Sequence, residues 1–296
     1  MVPLATPADS QQPYRGRLAP TPTGHLHLGH AKTFWTAQQR AQQFSGALIL
    51  RIEDLDRDRC KPQYATDLLE DLTWFGFRWQ EGPDIGGDYG PYHQCDRTAL
   101  YRQIWQRLHQ TRAIYPSPHS RKDVAQALSA PHEGDREIIF PIHLRPDDWE
   151  PVNAPGTVNW RLRVPDGEAI TFVDQNLGPQ SFIAGQDFGD FIVWRRDGLP
   201  SYELAVVVDD TTMVISEVVR GEDLLLSTAK QILLYRTLGW EIPAFYHCPL
   251  MRDETGKRLA KRDGARSLRA LRHQGLTPAQ IRQRDKSDAT WIAGVV

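Results

Sequence analysis

Between residues 14 and 56 the chain reads as strand, tight loop, helix and strand, and no other segment restricts the fold so strongly. A short apolar run at 14–19 leads into Pro20-Thr21-Pro22-Thr23-Gly24-His25-Leu26-His27-Leu28-Gly29-His30. Its prolines and glycines shape a tight loop, and its imidazoles fall where a helix begins. From residue 28 to 44 the positions Leu28, Ala31, Phe34, Trp35, Gln38 and Ala41 recur at helical spacing, and Gly46 stops the helix. Ala47-Leu48-Ile49-Leu50-Arg51-Ile52 is a near-continuous apolar run, the mark of a buried parallel strand, and it ends in Glu53-Asp54-Leu55-Asp56. This order predicts a βαβ unit, whose ligand belongs at the carboxyl ends of the strands. A helix N-terminus carries free N–H groups and partial positive charge. The loop therefore reads as a nucleotide site in which a phosphoryl centre is attacked.

Helical spacing continues through 64–75 and 97–110. Residues 111–185 change texture. They are rich in Pro and Asp, and the runs 158–164 and 169–173 alternate at period two, which predicts antiparallel strands. An α/β texture returns at Phe191-Ile192-Val193-Trp194, followed by an apolar helix at 202–209, a strand at 214–219 and a helix from Gly221 to Leu238. The expected fold class is α/β: a Rossmann-like parallel sheet split by an inserted α+β subdomain, with a short helical C-terminal region. The expected boundaries are a flexible tail at 1–13, a first half at 14–110, the insertion at 111–185, a second half at 186–250, and a basic loop with helical tail at 251–296. Trp74, Trp79, Trp105 and Trp194 are expected in the core.

The 296 residues carry a net charge of −2, so composition does not announce a polyanion partner, and any nucleic-acid surface must be local. Residues 252–286 supply a candidate, with eleven Lys and Arg against four Asp and Glu. A solvated helical face explains that run equally well. Three scattered cysteines, Cys60, Cys95 and Cys248, argue against a disulfide framework and for a reducing, cytoplasmic setting. No apolar stretch reaches the length of a membrane span.

Five segments in order carry a family resemblance. Residues 15–30 look like the HIGH signature of class I aminoacyl-tRNA synthetases in its glutamate-specific form. Arg51-Ile52-Glu53-Asp54-Leu55-Asp56 resembles the acidic segment of the same group. Leu204-Ala205-Val206-Val207-Val208-Asp209-Asp210 and Val218-Val219-Arg220-Gly221 also match. Lys257-Arg258-Leu259-Ala260-Lys261-Arg262 stands where a second, Lys-Met-Ser-Lys-Ser signature belongs, and only Lys261 keeps the expected type there. In pattern the chain is most similar to the glutamyl-Q tRNA(Asp) synthetase family, a glutamyl-tRNA synthetase-like catalytic core without the anticodon-binding domain. The 34 residues after Arg262 are too few for that domain.

The resemblance implies activation of L-glutamate by ATP, with Mg2+, and transfer to the queuosine base in the anticodon of tRNA(Asp); a monomer without a membrane partner is expected. It implies His27, His30 and Lys261 as catalytic. It implies Arg17, Ala19, Thr21, Glu53, Tyr202 and Arg220 at glutamate, and Pro20, Thr21, Gly24, His27, Gly29, His30 and Lys261 at ATP. The chemistry agrees, because two anionic reactants need cations to hold them, and glutamate needs two arginines and one acid. Each assignment has a plainer counterpart: a helix cap for the histidines, a strand-end ion pair with Arg51 or Arg57 for Glu53, a core aromatic for Tyr202. Glu203 replaces a neutral group at the pocket rim. In the insertion, the four positions that hold zinc in relatives carry Ser117, His119, Phe140 and Leu144, which are too poor a ligand set for a closed site, so no zinc is expected. His119, His132 and His143 are further imidazoles in that segment, and packing around Ile138, Ile139, Phe140 and Trp160 is expected to hold the subdomain. Three other functions stay open: a truncated glutamyl-tRNA synthetase charging a 3′ end, a related ligase for a small amine, and a weakened paralogue that only binds RNA or nucleotide.

Overall fold

The structure is a computed structural model that describes residues 13–119, 139–250 and 267–284. The expected tail, the second signature with Lys261, Ile138 and His132 lie outside the described residues. The described elements begin β1 (Arg15–Leu18), α1 (Leu28–Gln43), β2 (Ala47–Leu50), α2 (Pro62–Phe75), α3 (Thr98–Gln110), β3 (Ile114–Ser117), β4 (Asn159–Leu162), β5 (Ala169–Asp174) and β6 (Gly178–Ile183). They continue with β7 (Phe191–Trp194), α4 (Tyr202–Thr212), β8 (Glu217–Gly221), α5 (Leu225–Leu238), β9 (Ala244–Cys248), α6 (Leu268–His273) and α7 (Pro278–Arg284). The chain forms two compact units. One draws on Met1–Asp96, Val214–Asp223 and Pro243–Val296, the other on Arg97–Met213 and Leu224–Ile242.

In the first unit β1 pairs in parallel with β2, Arg15 opposite Ala47 and Leu18 opposite Leu50, and α1 makes the crossover, so the expected βαβ unit is present. The ladder continues beyond the strands: Arg51 N donates to Leu18 O at 2.9 Å and Glu53 N to Pro20 O at 2.9 Å. β8 and β9 form a second parallel pair, and β8 meets β1 where Ser216 N donates to Arg15 O at 2.9 Å. Glu217 fastens this contact from below. Its carboxylate accepts the Tyr14 hydroxyl at 2.8 Å and two Arg40 nitrogens at 2.6 Å. Burial and that carboxylate push the Tyr14 hydroxyl far above its ordinary range, so it stays a donor. Helix α1 buries Ala31, Phe34, Ala37, Gln38 and Ala41 against Leu48, Leu50, Phe75 and Phe77. Each fully buried large side chain there contributes about 1.5–3 kcal/mol. Two glycines are required in this unit. Gly76 ends α2 at φ 102°, and a Cβ on Gly46 would lie 2.4 Å from Tyr14 O, at the point where the chain turns into β2.

In the second unit β3, β4 and β7 form an antiparallel sheet in that order, and β5 pairs with β6 as an antiparallel hairpin. The antiparallel expectation for 158–173 holds. At Phe191, where an α/β texture is expected to return, β7 lies antiparallel to β4, with Leu162 opposite Phe191 and Trp160 opposite Trp194. A four-residue apolar run carries no direction, and here its one tryptophan, Trp194, is buried. Helix α3 belongs to this unit through Arg97, whose Nε donates to buried Asp209 at 2.6 Å, and Tyr101, whose hydroxyl lies 2.9 Å from both oxygens of that carboxylate. Trp105 and Trp194 are buried in this unit, whereas Trp74 and Trp79 belong to the first unit and are partly buried against its own core.

The four positions that align with the zinc ligands of relatives make contacts of their own. Arg161 Nε donates to Ser117 Oγ at 3.2 Å, Arg161 NH1 donates to Asp190 O at 2.9 Å, and the Arg161 guanidinium lies 4.2 Å above the Phe140 ring. His119 stands 6.3 Å from Phe140, ring to ring, and Leu144 packs on the Tyr115–Phe140 cluster. Asp190 ties this layer together. It receives two Arg145 nitrogens at 2.6 and 2.7 Å, the Val164 amide at 2.8 Å and the Tyr115 hydroxyl. Ile139 abuts Gly189, where a Cβ would fall 3.1 Å from its side chain.

Candidate active site

The HIGH-like loop is built by the first unit. Thr23 N bonds back to Thr21 O at 2.9 Å, and Pro20 O is taken by Glu53 N, so the loop is pinned to the end of β2. Leu26 is buried, and its carbonyl accepts Leu268 N at 2.8 Å. His27 forms an isolated bridge with Ser267, so the chain that resumes at Ser267 lies beside the imidazoles.

His27 is the N-cap of α1. Its Nδ1 accepts from Gly29 N at 3.1 Å, which places the ring proton on Nε2. A Cβ on Gly29 would come 3.1 Å from the His27 ring, so glycine there lets the imidazole fold over the helix end. His27 and His30 stack with centroids 3.8 Å apart. The capping role foreseen as the plainer reading is therefore real, and it leaves Nε2–H as the donor His27 offers. The first turn of α1 holds no acidic residue, so the partial positive charge of the helix end is not cancelled locally. His25 is turned to another use, 3.2 Å from Asp67.

Charged groups collect at the carboxyl ends of β1, β2 and β8. Arg17 is buried in β1 and donates to Val219 O at 3.0 Å. Arg220 is buried in β8, and its Nε donates to His247 Nε2 at 3.3 Å. Glu53 is 9% exposed and accepts from Arg51, itself wholly buried, at 3.0 Å. The ion-pair reading of Glu53 thus holds, and the pair orients the carboxylate at the strand end. Of the loop residues, Pro20 is buried, Ala19 and Gly24 are half-buried and Thr21 is exposed. Tyr202 belongs to the second unit, where it opens α4, 40% exposed, behind the Ser201 cap. Glu203 beside it accepts from Ser227 at 2.9 Å and Gln231 at 2.7 Å, so its charge is committed to α5. His247 and Ser267 escaped sequence reasoning, since neither sits in a motif and only strand pairing and the Ser267 bridge bring them in.

Residues 14–283 match the family described as tRNA synthetases class I (E and Q), catalytic domain. The chain belongs to this family. It is 46% identical over 271 residues to a glutamyl-Q tRNA(Asp) synthetase of Symbiobacterium thermophilum, covering 90% of this chain and 83% of the relative. It is 44% identical, with the same coverage, to a glutamyl-Q tRNA(Asp) synthetase of Nitratidesulfovibrio vulgaris. Among solved structures it resembles a glutamate tRNA ligase of Elizabethkingia meningosepticum, crystallised with its amino acid, at 30% identity and a TM-score of 0.75, over 86% of this chain. The chain spans about half of that ligase, 53% of its length. The α/β architecture and ligase chemistry of class I synthetases are therefore those of this chain. No helix among the described residues is long and apolar enough to cross a membrane.

Proposed function

We propose that this synthetase-family chain activates L-glutamate with ATP and transfers it to the queuosine base of tRNA(Asp), as the names of its 46% and 44% identical relatives describe. The observation that carries the first half is the convergence of Arg17, Arg220 and the Arg51-held Glu53 at neighbouring strand ends, beside the His27 cap. Two guanidinium groups and one carboxylate complement the two carboxylates and one ammonium of glutamate. Ala19 and Thr21 complete the strand-end site in this reading, and Tyr202 is assigned to glutamate by the family resemblance alone.

In activation, a glutamate carboxylate oxygen bonds to the α-phosphorus of ATP, and the bond to pyrophosphate breaks. Negative charge builds on the phosphates, where the α1 amides, His27 Nε2–H, His30 and Lys261 stabilise it. In transfer, the acceptor group on the tRNA attacks the adenylate carbonyl and AMP leaves. Mg2+ enters with ATP as part of the substrate. The one metal-donor cluster among the described residues contains a thiol, a donor unsuited to Mg2+. Residues 111–185 are read as the inserted subdomain, 252–286 as the stretch that steers RNA phosphates, and the protein as a cytoplasmic monomer.

The test supplies ATP, labelled glutamate and total tRNA with and without queuosine, after periodate oxidation of the 3′ ribose. Label confined to queuosine-containing tRNA(Asp) is expected. Label on tRNA(Glu) that periodate abolishes overturns the proposal in favour of 3′-end charging. Failure of pyrophosphate exchange with glutamate, with and without tRNA, points instead to a binding paralogue.

A further inference from the structure

Immediately beyond Glu53 the chain builds a second cluster that glutamate activation does not use. Ile52 is bridged in parallel to His93, with Ile52 N donating to Tyr92 O at 2.8 Å and Gln94 N to Ile52 O at 3.0 Å. This pairing lays 92–95 along the end of β2. Asp54 then faces two side chains at once. One carboxylate oxygen lies 2.8 Å from His93 Nδ1 and accepts the Cys95 thiol at 3.3 Å, while the other accepts Cys95 N at 2.9 Å. All three side chains are part-buried, and their donor atoms lie within 4.8 Å of one another.

We propose that Asp54, His93 and Cys95 form a binding site for a divalent transition metal of the zinc class. Tetrahedral zinc bonds of about 2.0–2.3 Å place neighbouring donors roughly 3.3–3.8 Å apart, so the cluster needs adjustments of well under an ångström per atom at most pairs. The donor set is right for that class: one carboxylate, one imidazole and one thiolate, too soft for Mg2+ or Ca2+. Three protein ligands leave one position for water or another oxygen ligand. On binding, the metal replaces the thiol proton of Cys95 and any proton on His93 Nδ1, which pass to solvent. The cluster is separate from Ser117, His119, Phe140 and Leu144. Spacing hides it, because Asp54 stands about 40 residues from its partners and no paired cysteines flank it. Its effect would be to clamp segment 92–95 to the strand end that presents Glu53.

The test uses the full reduced chain, dialysed against chelator and titrated with Co2+ as a spectroscopic substitute for Zn2+, then with Zn2+ by calorimetry. One metal per chain is expected, with a thiolate-to-cobalt charge-transfer band. Cys95→Ser should abolish the band, and His93→Gln should weaken affinity by more than the roughly 10–100-fold that losing an outer partner costs. Cys60→Ser should leave both unchanged. Absence of the band in the unaltered chain overturns the proposal, as does its survival in Cys95→Ser. If Cys95→Ser does not fold, unchanged affinity in His93→Gln overturns it equally.

Discussion

Both units bury arginines, and Arg145 in one differs from Arg17 and Arg220 in the other in the acceptors that orient it. In the antiparallel layer of the second unit, Arg145 ends on Asp190 and Asp166, and Asp190 also takes Tyr115 and the Val164 amide. Hydrogen bonds to these carboxylates overcome the opposing effect of burial and raise the affinity of Arg145 for its proton. In the first unit, Arg17 and Arg220 donate to neutral acceptors, the Val219 carbonyl and the His247 imidazole. A guanidinium matched on a carboxylate, as Arg145 is, spends its charge on the fold. The contrast sets Arg145 against Arg17 and Arg220, which the proposed function assigns to the substrate.

The largest effect expected from breaking this contrast is Asp190→Ala. Leaving Arg145 buried without that carboxylate should lower unfolding free energy by about 3–5 kcal/mol, read by urea denaturation, with the KM for glutamate of the folded enzyme unchanged. A raised KM would erase the distinction between the two arginine sets. Arg220→Lys should do the reverse. It removes the planar fork and should raise the KM for glutamate about 10- to 150-fold, corresponding to roughly 1.5–3 kcal/mol, while the urea midpoint moves little. Ser201→Ala, which deletes the cap that accepts Leu204 N, should lower stability by about 1 kcal/mol in the same denaturation assay.

The smallest effect concerns pH. Burial, and then the Arg112 charge, push His109 below its ordinary value; its ring stacks on Trp105 at 5.2 Å and meets Trp160 edge-on at 5.1 Å. The native state resists a proton that the unfolded chain accepts below about pH 6.5. Stability is therefore full above that pH and drains as pH falls toward the native value. Melting temperatures measured across that range should show the slope in the natural chain and a flatter one in His109→Leu.

The βαβ unit was legible because its signals agree: a period of 3.6 in α1, a continuous apolar β2, and glycines where the chain must turn. Arg17, Glu53 and Arg220 were legible through motif resemblance, and the structure adds what holds each of them. Direction was not legible for β7, since four apolar residues pair equally well either way. Arg161 sat within an alternating run without showing that its guanidinium would be buried between Phe140, Ser117 and Asp190 O. Contacts of this kind depend on residues 20 to 45 positions apart, and local pattern carries no trace of them.

The contact between β1 and β8 has a consequence for synthesis. Tyr14 meets Glu217 across 203 residues, and Arg17 meets Val219 across 202. At about 5–20 residues per second, a ribosome needs roughly 10–40 s to deliver β8 after β1 has emerged. Through that interval β1 has β2 beside it, but the strand that receives Arg17 has yet to be made. The nascent chain therefore carries Arg17 on an unfinished edge until nearly the whole second unit has been translated, and a chaperone able to shield that edge has a defined window in which to act.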